Sequence, residues 1–447
     1  MNKKIFIWII VLIVLILGGY YLFKNYTPSV PANVQNTASS SDEKVNLVYA
    51  VHWALKDQTD GIYKNGVLKS KGLKQYLDEY TKLYPNVEFT VKVIPYGEYA
   101  DTLQVLSDAD LAPDIYQIYS PWGVSYVKNG ILDTPPQDIK DDVMKNYIST
   151  AGVNINGEIW GIPTEINTNA LLYNKDLFKE AGIATYPRTW DEFVNDAVKL
   201  TKRDSKGNII QYGVAFLNED WQVVDPFLSI LFSNGGKYLS SDLKKSLFNS
   251  TEGVEALNAE LSLFKKGATD TNGNFFDFGK GTVGMVIAPP WVKATFAGNF
   301  GDKFESTVGV ATFPVFNKPA TMSYSWFMGV MGKSKNKEAA WNFLKWFSTD
   351  VQSSGTTRYG DLLAENIGAI PSRKIDFESH KDVLGDFFTK IYVDEMKNTV
   401  AEPNVLESNN IKATLMKEVQ AAWAGKKTAK EALDSAAIEV DKILERQ

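Results

Sequence analysis

Between residues 45 and 119 the apolar positions change period four times. Residues 45–51 (VNLVYAV) read as a strand, and Leu73, Tyr76, Leu77, Tyr80, Leu83 and Tyr84 recur at helical spacing until Pro85 stops them. Residues 87–93 alternate with a strand's period of two, Tyr99, Leu103 and Leu106 return to helical spacing, and residues 114–119 form a further strand. Strands alternating with helices predict a mostly parallel sheet covered on both faces. In the next block Asn156-Gly157 signals a hairpin turn, Gly161-Ile162-Pro163 ends a strand, and Ala170-Leu171-Leu172-Tyr173 is a short apolar run closed by Asn174 and Lys175, after which a helix follows. Thr189 and Glu192 have the spacing of a capping box ahead of Phe193, Ala197 and Leu200. A second box, Thr428 with Glu431, opens a C-terminal helix whose stripe runs Leu433, Ala436, Ala437, Val440, Ile443 and Leu444. No repeat of fixed period is present, which sets solenoids and propellers aside.

Composition narrows the chemistry. The 447 residues, 44% hydrophobic and 13% aromatic, suffice for two or three domains with full cores. A net charge of -6, with no long basic run beyond the first few residues, argues against nucleic acid. The absence of cysteine excludes disulfides, thiolate nucleophiles and thiolate metal sites. Only His52 and His380 are available for a histidine-based triad or a two-histidine metal site, and they lie far apart in the chain, so neither a metal nor a cofactor is expected. Residues 270–274 place a glycine too early for a calcium loop and lack its closing glutamate, so they read as a turn, as do residues 204–208.

Residues 5–23 are uncharged and mostly apolar, flanked by Lys3, Lys4 and Lys24. At 1.5 Å per residue they reach about 28 Å, enough to cross a bilayer. The run exceeds the usual apolar region of a cleaved signal, so it is read as a retained single-pass anchor, with Val30-Pro31-Ala32 as the alternative late cleavage site. Tyr20, not cysteine, follows Leu17-Gly18-Gly19, which leaves no thiol for lipid attachment. Lysines before the span place the amino terminus inside and the body on the extracytoplasmic side. Residues 1–24 are thus the expected anchor. Residues 25–44, poor in large apolar side chains, are an expected disordered linker with a reach of about 25 Å.

The central block carries a resemblance. Residues 157–163 (GEIWGIP), 173–182 (YNKDLFKEAG) and 187–193 (PRTWDEF) resemble, in order and spacing, the pattern of family 1 extracellular solute-binding proteins of ABC importers, the group that includes maltose-binding protein. Phe278-Gly279-Lys280-Gly281 with Pro289-Pro290-Trp291, residues 308–314, and residues 334–344 agree with it in turn, and the likeness covers residues 45–447. It implies a two-lobe α/β periplasmic-binding-protein-like fold with three interlobe crossings, near residues 165–170, 288–290 and 326–330. The implied N-terminal lobe is 45–168 with 289–327, and the C-terminal lobe 169–288 with 328–447. The resemblance further implies a monomeric binder that is not an enzyme. It would close by a hinge over a small-molecule carbohydrate and deliver it to an ABC permease driven by ATPase subunits.

In open α/β sheets ligands sit beyond the carboxyl ends of strands. The loops there hold Trp53, then Tyr119, Ser120 and Trp122, then Asn218, Glu219, Asp220 and Trp221, then Trp291, and finally Trp326 at the third crossing. Glu165 and Asn167 lie at the first crossing, where the resemblance implies a polar ligand contact. An indole face beside a carboxylate or amide suits a sugar, whose ring shows C–H patches on its faces and hydroxyls at its edge. The competing use of Trp190, Trp341 and Trp346 is core packing, since they lie on helical stripes, and Trp160 packs in its hairpin. Two other functions fit less well. A glycoside hydrolase would use Glu165 and Glu219 as acid and base. A binder of peptides, polyamines or phosphorylated compounds is the other, and a phosphate would call for a glycine-rich loop or converging arginines, neither of which is evident. Pro121-Trp122 stands where maltodextrin binders of the family carry charged residues, which sets this chain apart from them.

Overall fold

The computed structural model describes residues 43–53, 56–108, 111–217 and 223–446. The expected anchor, nearly all of the linker, and Asn218, Glu219, Asp220 and Trp221 lie outside the described residues. Among the described residues no helix is long and apolar enough to cross a membrane. Lys44–Gln447 form one compact unit.

Its strands, in chain order, are β1 Val45–Val51, β2 Ile62–Lys64, β3 Val67–Ser70, β4 Val87–Val93, β5 Ile115–Tyr119, β6 Asn154–Ile155, β7 Glu158–Ile159 and β8 Ile162–Thr168. There follow β9 Ala170–Asn174, β10 Lys202–Arg203, β11 Ile209–Val214, β12 Val283–Ala288, β13 Val308–Ala311, β14 Thr321–Val330, β15 Ile370–Pro371 and β16 Thr399–Ala401. Two sheets carry the fold. The first runs β15-β8-β14-β5-β1-β4 with β16 beside β14, and the second runs β10-β11-β12-β9-β13. Each anchors one lobe of a two-lobe α/β architecture.

The sheets are mixed, not mostly parallel as the alternation of elements predicts. β1 is parallel to β4 and β5, but β14 lies antiparallel to both β5 and β8. β14 arrives from the other lobe, which frees it from the right-handed crossover that keeps sequential strands parallel. The placement of crossings changes with it. The chain leaves the first sheet between β8 and β9, as expected, but β12 is followed by β13, which still pairs with β9 in the second sheet. Gly309 permits that pairing, since a Cβ there would sit 2.1 Å from the ring of Tyr173. The return therefore falls between β13 and β14, not near 288–290, and residues 326–330 lie inside a continuous strand of the first sheet. The last passage follows β16.

The lobe ranges shift accordingly. The helix Lys337–Ser348, expected in the C-terminal lobe, packs on the first sheet, with Phe343 against Tyr49 of β1 at 6.1 Å and Phe89 of β4 at 4.8 Å. Residues 308–311, expected in the N-terminal lobe, belong to the second sheet. The C-terminal helices Ser408–Trp423 and Ala429–Leu444 return to the second lobe, where Trp423 stacks on Phe216 and Phe264 at 5.3 Å each.

Local signals survive intact. Asn156 and Gly157 adopt φ of 54° and 87°, the left-handed pair that a two-residue hairpin between β6 and β7 requires. The Thr189 hydroxyl accepts from the Glu192 amide at 3.3 Å while the Glu192 carboxylate accepts from the Thr189 amide at 3.1 Å. The Thr428–Glu431 box closes the same way. Asp204 caps its own turn by accepting from the amides of Lys206 and Asn208, each at 2.9 Å.

Candidate functional site

The carboxyl ends of β1 and β5 and the middle of β14 bring together side chains that are far apart in sequence. Tyr119 pairs in register with Trp326, and Tyr324 with Asn167 of β8. Trp122 sits edge-on to Trp326 at 5.8 Å and to Tyr119 at 5.5 Å, and His52 stacks flat on Trp326 at 4.1 Å. Ser120 and Ser325 share a hydroxyl–hydroxyl hydrogen bond of 2.7 Å. Four of the sequence-derived candidates, Tyr119, Ser120, Trp122 and Trp326, thus form one cluster on the first lobe. Trp53 is partly exposed beside it, packed on the same core.

Burial changes what these indoles can do. Trp122 is 2% exposed and Trp326 3% exposed, so they lie beneath the surface and are not free aromatic plates. The reason is mutual: Tyr119 and Trp326 meet Trp122 edge-on, Tyr99 stacks on it and Tyr126 packs at a tilt. Trp291 differs. It is partly exposed at the start of the helix that follows β12, and its Nε1 donates to the Tyr324 hydroxyl at 3.2 Å. Tyr324 packs on Tyr119 at 5.4 Å, so this one hydrogen bond joins the second-lobe loop to the first-lobe cluster.

Glu165 and Asn167 are both buried in β8. Glu165 faces inward, where its charge bears on Tyr49 and Tyr359, and its Oε2 has no hydrogen-bond partner among the described residues. Burial pushes the Glu165 carboxyl up to about 7. Burial likewise pushes the His52 imidazole down to about 3, opposed by a hydrogen bond with Gln117, so it is neutral at physiological pH.

Two groups of residues that sequence reasoning missed hold the lobes together. One is a hub at Ser229, in the wholly buried helix Val224–Ser233. Its hydroxyl donates to the Asp225 carbonyl at 2.9 Å and accepts from Asn169 Nδ2 and the Met322 amide, each at 3.3 Å, while Thr321 Oγ1 donates to the Asn169 carbonyl at 3.2 Å and Thr168 Oγ1 to the Met322 carbonyl at 3.1 Å. The two strands that pass between lobes are therefore stitched side by side where they cross. The other is a buried ionic group. Lys412, 2% exposed, donates to Asp225 at 3.0 Å, to Glu402 at 2.9 Å and to the Tyr119 hydroxyl at 3.2 Å, and Tyr119 in turn donates to Glu402. Burial opposes the Lys412 charge, but Asp225 and Glu402 outweigh it and hold the ammonium above its ordinary value. The only sequence signal for either group was an unusual density of hydroxyl and amide residues in Thr168-Asn169 and Thr321, which periodicity does not weigh.

Beside Asp225, at the carboxyl ends of β11 and β12, Asn169, Phe216, Leu217, Ile287 and Pro289 line a cavity of ≈ 20 Å³. That is room for one water-sized group, not for a sugar ring.

The sequence pattern of the bacterial extracellular solute-binding proteins matches residues 65–353. A binding protein of Brucella abortus is 26% identical over 388 residues, which cover 83% of this chain and 90% of that protein. The galactooligosaccharide-binding protein of Bacillus subtilis is 24% identical over 385 residues, covering 83% and 86%. Among solved structures, an ABC transporter solute-binding protein from Thermotoga lettingae bound with α-D-tagatose superposes with a TM-score of 0.75 at 22% identity. It covers 90% of this chain and the whole of the other. With two sheets, stitched crossings and a family pattern that spans both lobes, the chain belongs to the bacterial extracellular solute-binding proteins.

Proposed function

We propose that the protein is the solute-binding component of an ABC importer for a sugar or oligosaccharide, which it captures between its lobes by hinge closure. The observation that carries this reading is the Trp291–Tyr324 hydrogen bond, which brings a partly exposed indole of the second lobe against the aromatic cluster of the first. Support comes from relatives named for binding a galactooligosaccharide and from a structural neighbour bound with tagatose. In this reading Trp53 and Trp291 are the ring-stacking faces, while Ser120 and Asn167, as buried as the indoles of Trp122 and Trp326, brace the site from below. Tyr119, Trp122 and Trp326 are the rigid floor beneath them. Asn218, Glu219, Asp220 and Trp221 remain ligand candidates from their place after a strand in the sequence and lie outside the described residues. Glu165 tunes the crossing strand from inside and does not touch the solute.

No catalytic step is assigned. An acid and base pair needs both carboxyls at the bond to be cleaved, and Glu165 is turned into the first lobe. The remaining parts of the proposal follow from the sequence: residues 5–23 tether the body outside the cytoplasmic membrane, and the monomer hands its sugar to permease subunits driven by ATPase subunits. Net hydrogen bonds of about 1 kcal/mol each cannot reach micromolar affinity, about 8 kcal/mol, from a single wall. Closure of two walls can.

A thermal-shift screen of the full chain against a carbohydrate panel, with product analysis, tests this. A cognate sugar at about 100 times its Kd should add about 2.7 kcal/mol of stability with no turnover, and Trp291→Ala should abolish the shift. Stabilisation by polyamines or peptides and by no sugar would overturn it.

A further inference from the structure

Outside the cleft, one cluster has the donor set and the support of a metal site. We propose that Asp361, Glu365 and His380 bind a divalent first-row transition ion, zinc foremost. His380 Nε2 lies 3.2 Å from Asp361 Oδ1 and 3.7 Å from Glu365 Oε1, and one donor atom of each residue falls within 4.8 Å of the others. Tetrahedral ligands held at zinc's bond lengths stand roughly 3.4 Å apart, so the three donors can meet one ion with little movement. An imidazole nitrogen with two carboxylate oxygens is a set that zinc and its neighbours accept.

The surroundings orient these donors. His380 is nine-tenths buried, and its Nδ1 faces the Asp376 carbonyl at 2.8 Å. Against burial, the Asp361 and Glu365 carboxylates hold the His380 imidazole up to about 10, so an ion must displace its Nε2 proton; with the Nδ1 proton donated to the Asp376 carbonyl, Nε2 is then the ligand atom, the arrangement that fixes metal-bound histidines. Gln352 Nε2 donates to Asp361 Oδ2 at 2.9 Å, leaving Oδ1 to face His380 Nε2. Asp361 precedes and Glu365 lies within a π-helical turn, Leu362–Ile367, a widened geometry that recurs at functional sites. Glu365 is 45% exposed, which gives an ion its entry path and leaves a position for water.

The donors straddle β15, whose partners in the ladder are Ile166 and Glu165 of the crossing strand β8. An ion at this site closes the 365–380 loop and pins that edge strand to the strand that leads between lobes, so its role is structural.

The test uses the full chain stripped with chelator and titrated with zinc chloride by calorimetry, with cobalt(II) absorption reporting coordination geometry. One equivalent should bind and raise Tm. Glu365→Gln, at a half-exposed position that spares the fold, should weaken binding at least tenfold, and Gln352→Leu should weaken it about 10- to 100-fold. The absence of a saturable equivalent, or one that both variants leave unchanged, overturns the proposal and reduces the cluster to an imidazolium paired with two carboxylates. Neither variant touches the cleft, so sugar stabilisation persisting in both separates failure here from failure of the transport reading.

Discussion

Two buried ionisable regions of this molecule meet opposite fates. Between the lobes, Lys412 is held by Asp225, Glu402 and the Tyr119 hydroxyl, so a fully desolvated charge has a partner on every side. Inside the first lobe, Glu165 is desolvated with an oxygen left unpartnered, and its proton affinity rises to compensate. The contrast teaches what burial costs when it is matched and when it is not. A paired charge locks two elements together, whereas an unpaired one becomes neutral or destabilises.

The comparison is sharpest at Lys412. Lys412→Met strands two buried carboxylates and should cost about 3–5 kcal/mol, read as a lower denaturant midpoint. In the parent protein the raised Lys412 value contributes stability in full below the unfolded value of about 10.4, and that contribution is lost as pH rises through the folded one. An unaltered midpoint in Lys412→Met would mean that the ionic group is not what joins the lobes.

Glu165 should respond to substitution in the reverse sense. Its folded value, about 7, exceeds its unfolded one, so the native state holds an extra proton between roughly pH 4.5 and 7. Stability then falls as pH climbs through that window. Glu165→Gln should therefore raise stability by about 3 kcal/mol at pH 8 and change it little at pH 4. Equal effects at both pH values would show that the carboxyl ionises freely in the fold.

Smaller effects calibrate these two. Ser229→Ala removes the common acceptor of Asn169 and Met322 and should cost about 2 kcal/mol, with faster amide exchange at Met322 as the specific sign of a loosened crossing. Thr428→Ala, far from either region, should cost only about 1 kcal/mol. If Ser229→Ala matched it in both readouts, the stitched crossing would be no more than a local cap.

Much of the fold was legible in the chain because its signals are local. The Asn156-Gly157 turn, both capping boxes, and the helical stripe at Leu73, Tyr76, Leu77 and Tyr80 each depend on neighbours within one or two turns. Leu83 and Tyr84, counted in the same stripe, emerge exposed at the helix's end, whereas Tyr80 in the same turn is covered by Phe89, Phe343 and Trp346. The aromatic candidates were found by type and position after strands, but their depth was not. Trp122 and Trp326 look alike in sequence to Trp291, yet only packing across β5 and β14 decides that the first two are covered.

The sequence by itself determined the alternation of elements, the caps and turns, the family, and the residue types gathered at strand ends, because each is written in short-range periodicity or in contiguous motifs. Tertiary structure alone decided that β13 stays with the second sheet, that β14 runs antiparallel through the first, and that Lys412 finds Asp225. Those outcomes depend on contacts between segments about 100 to 200 residues apart, whose pairing is selected by complementary shape and matched charge in the assembled core. No local pattern encodes which distant partner will be there.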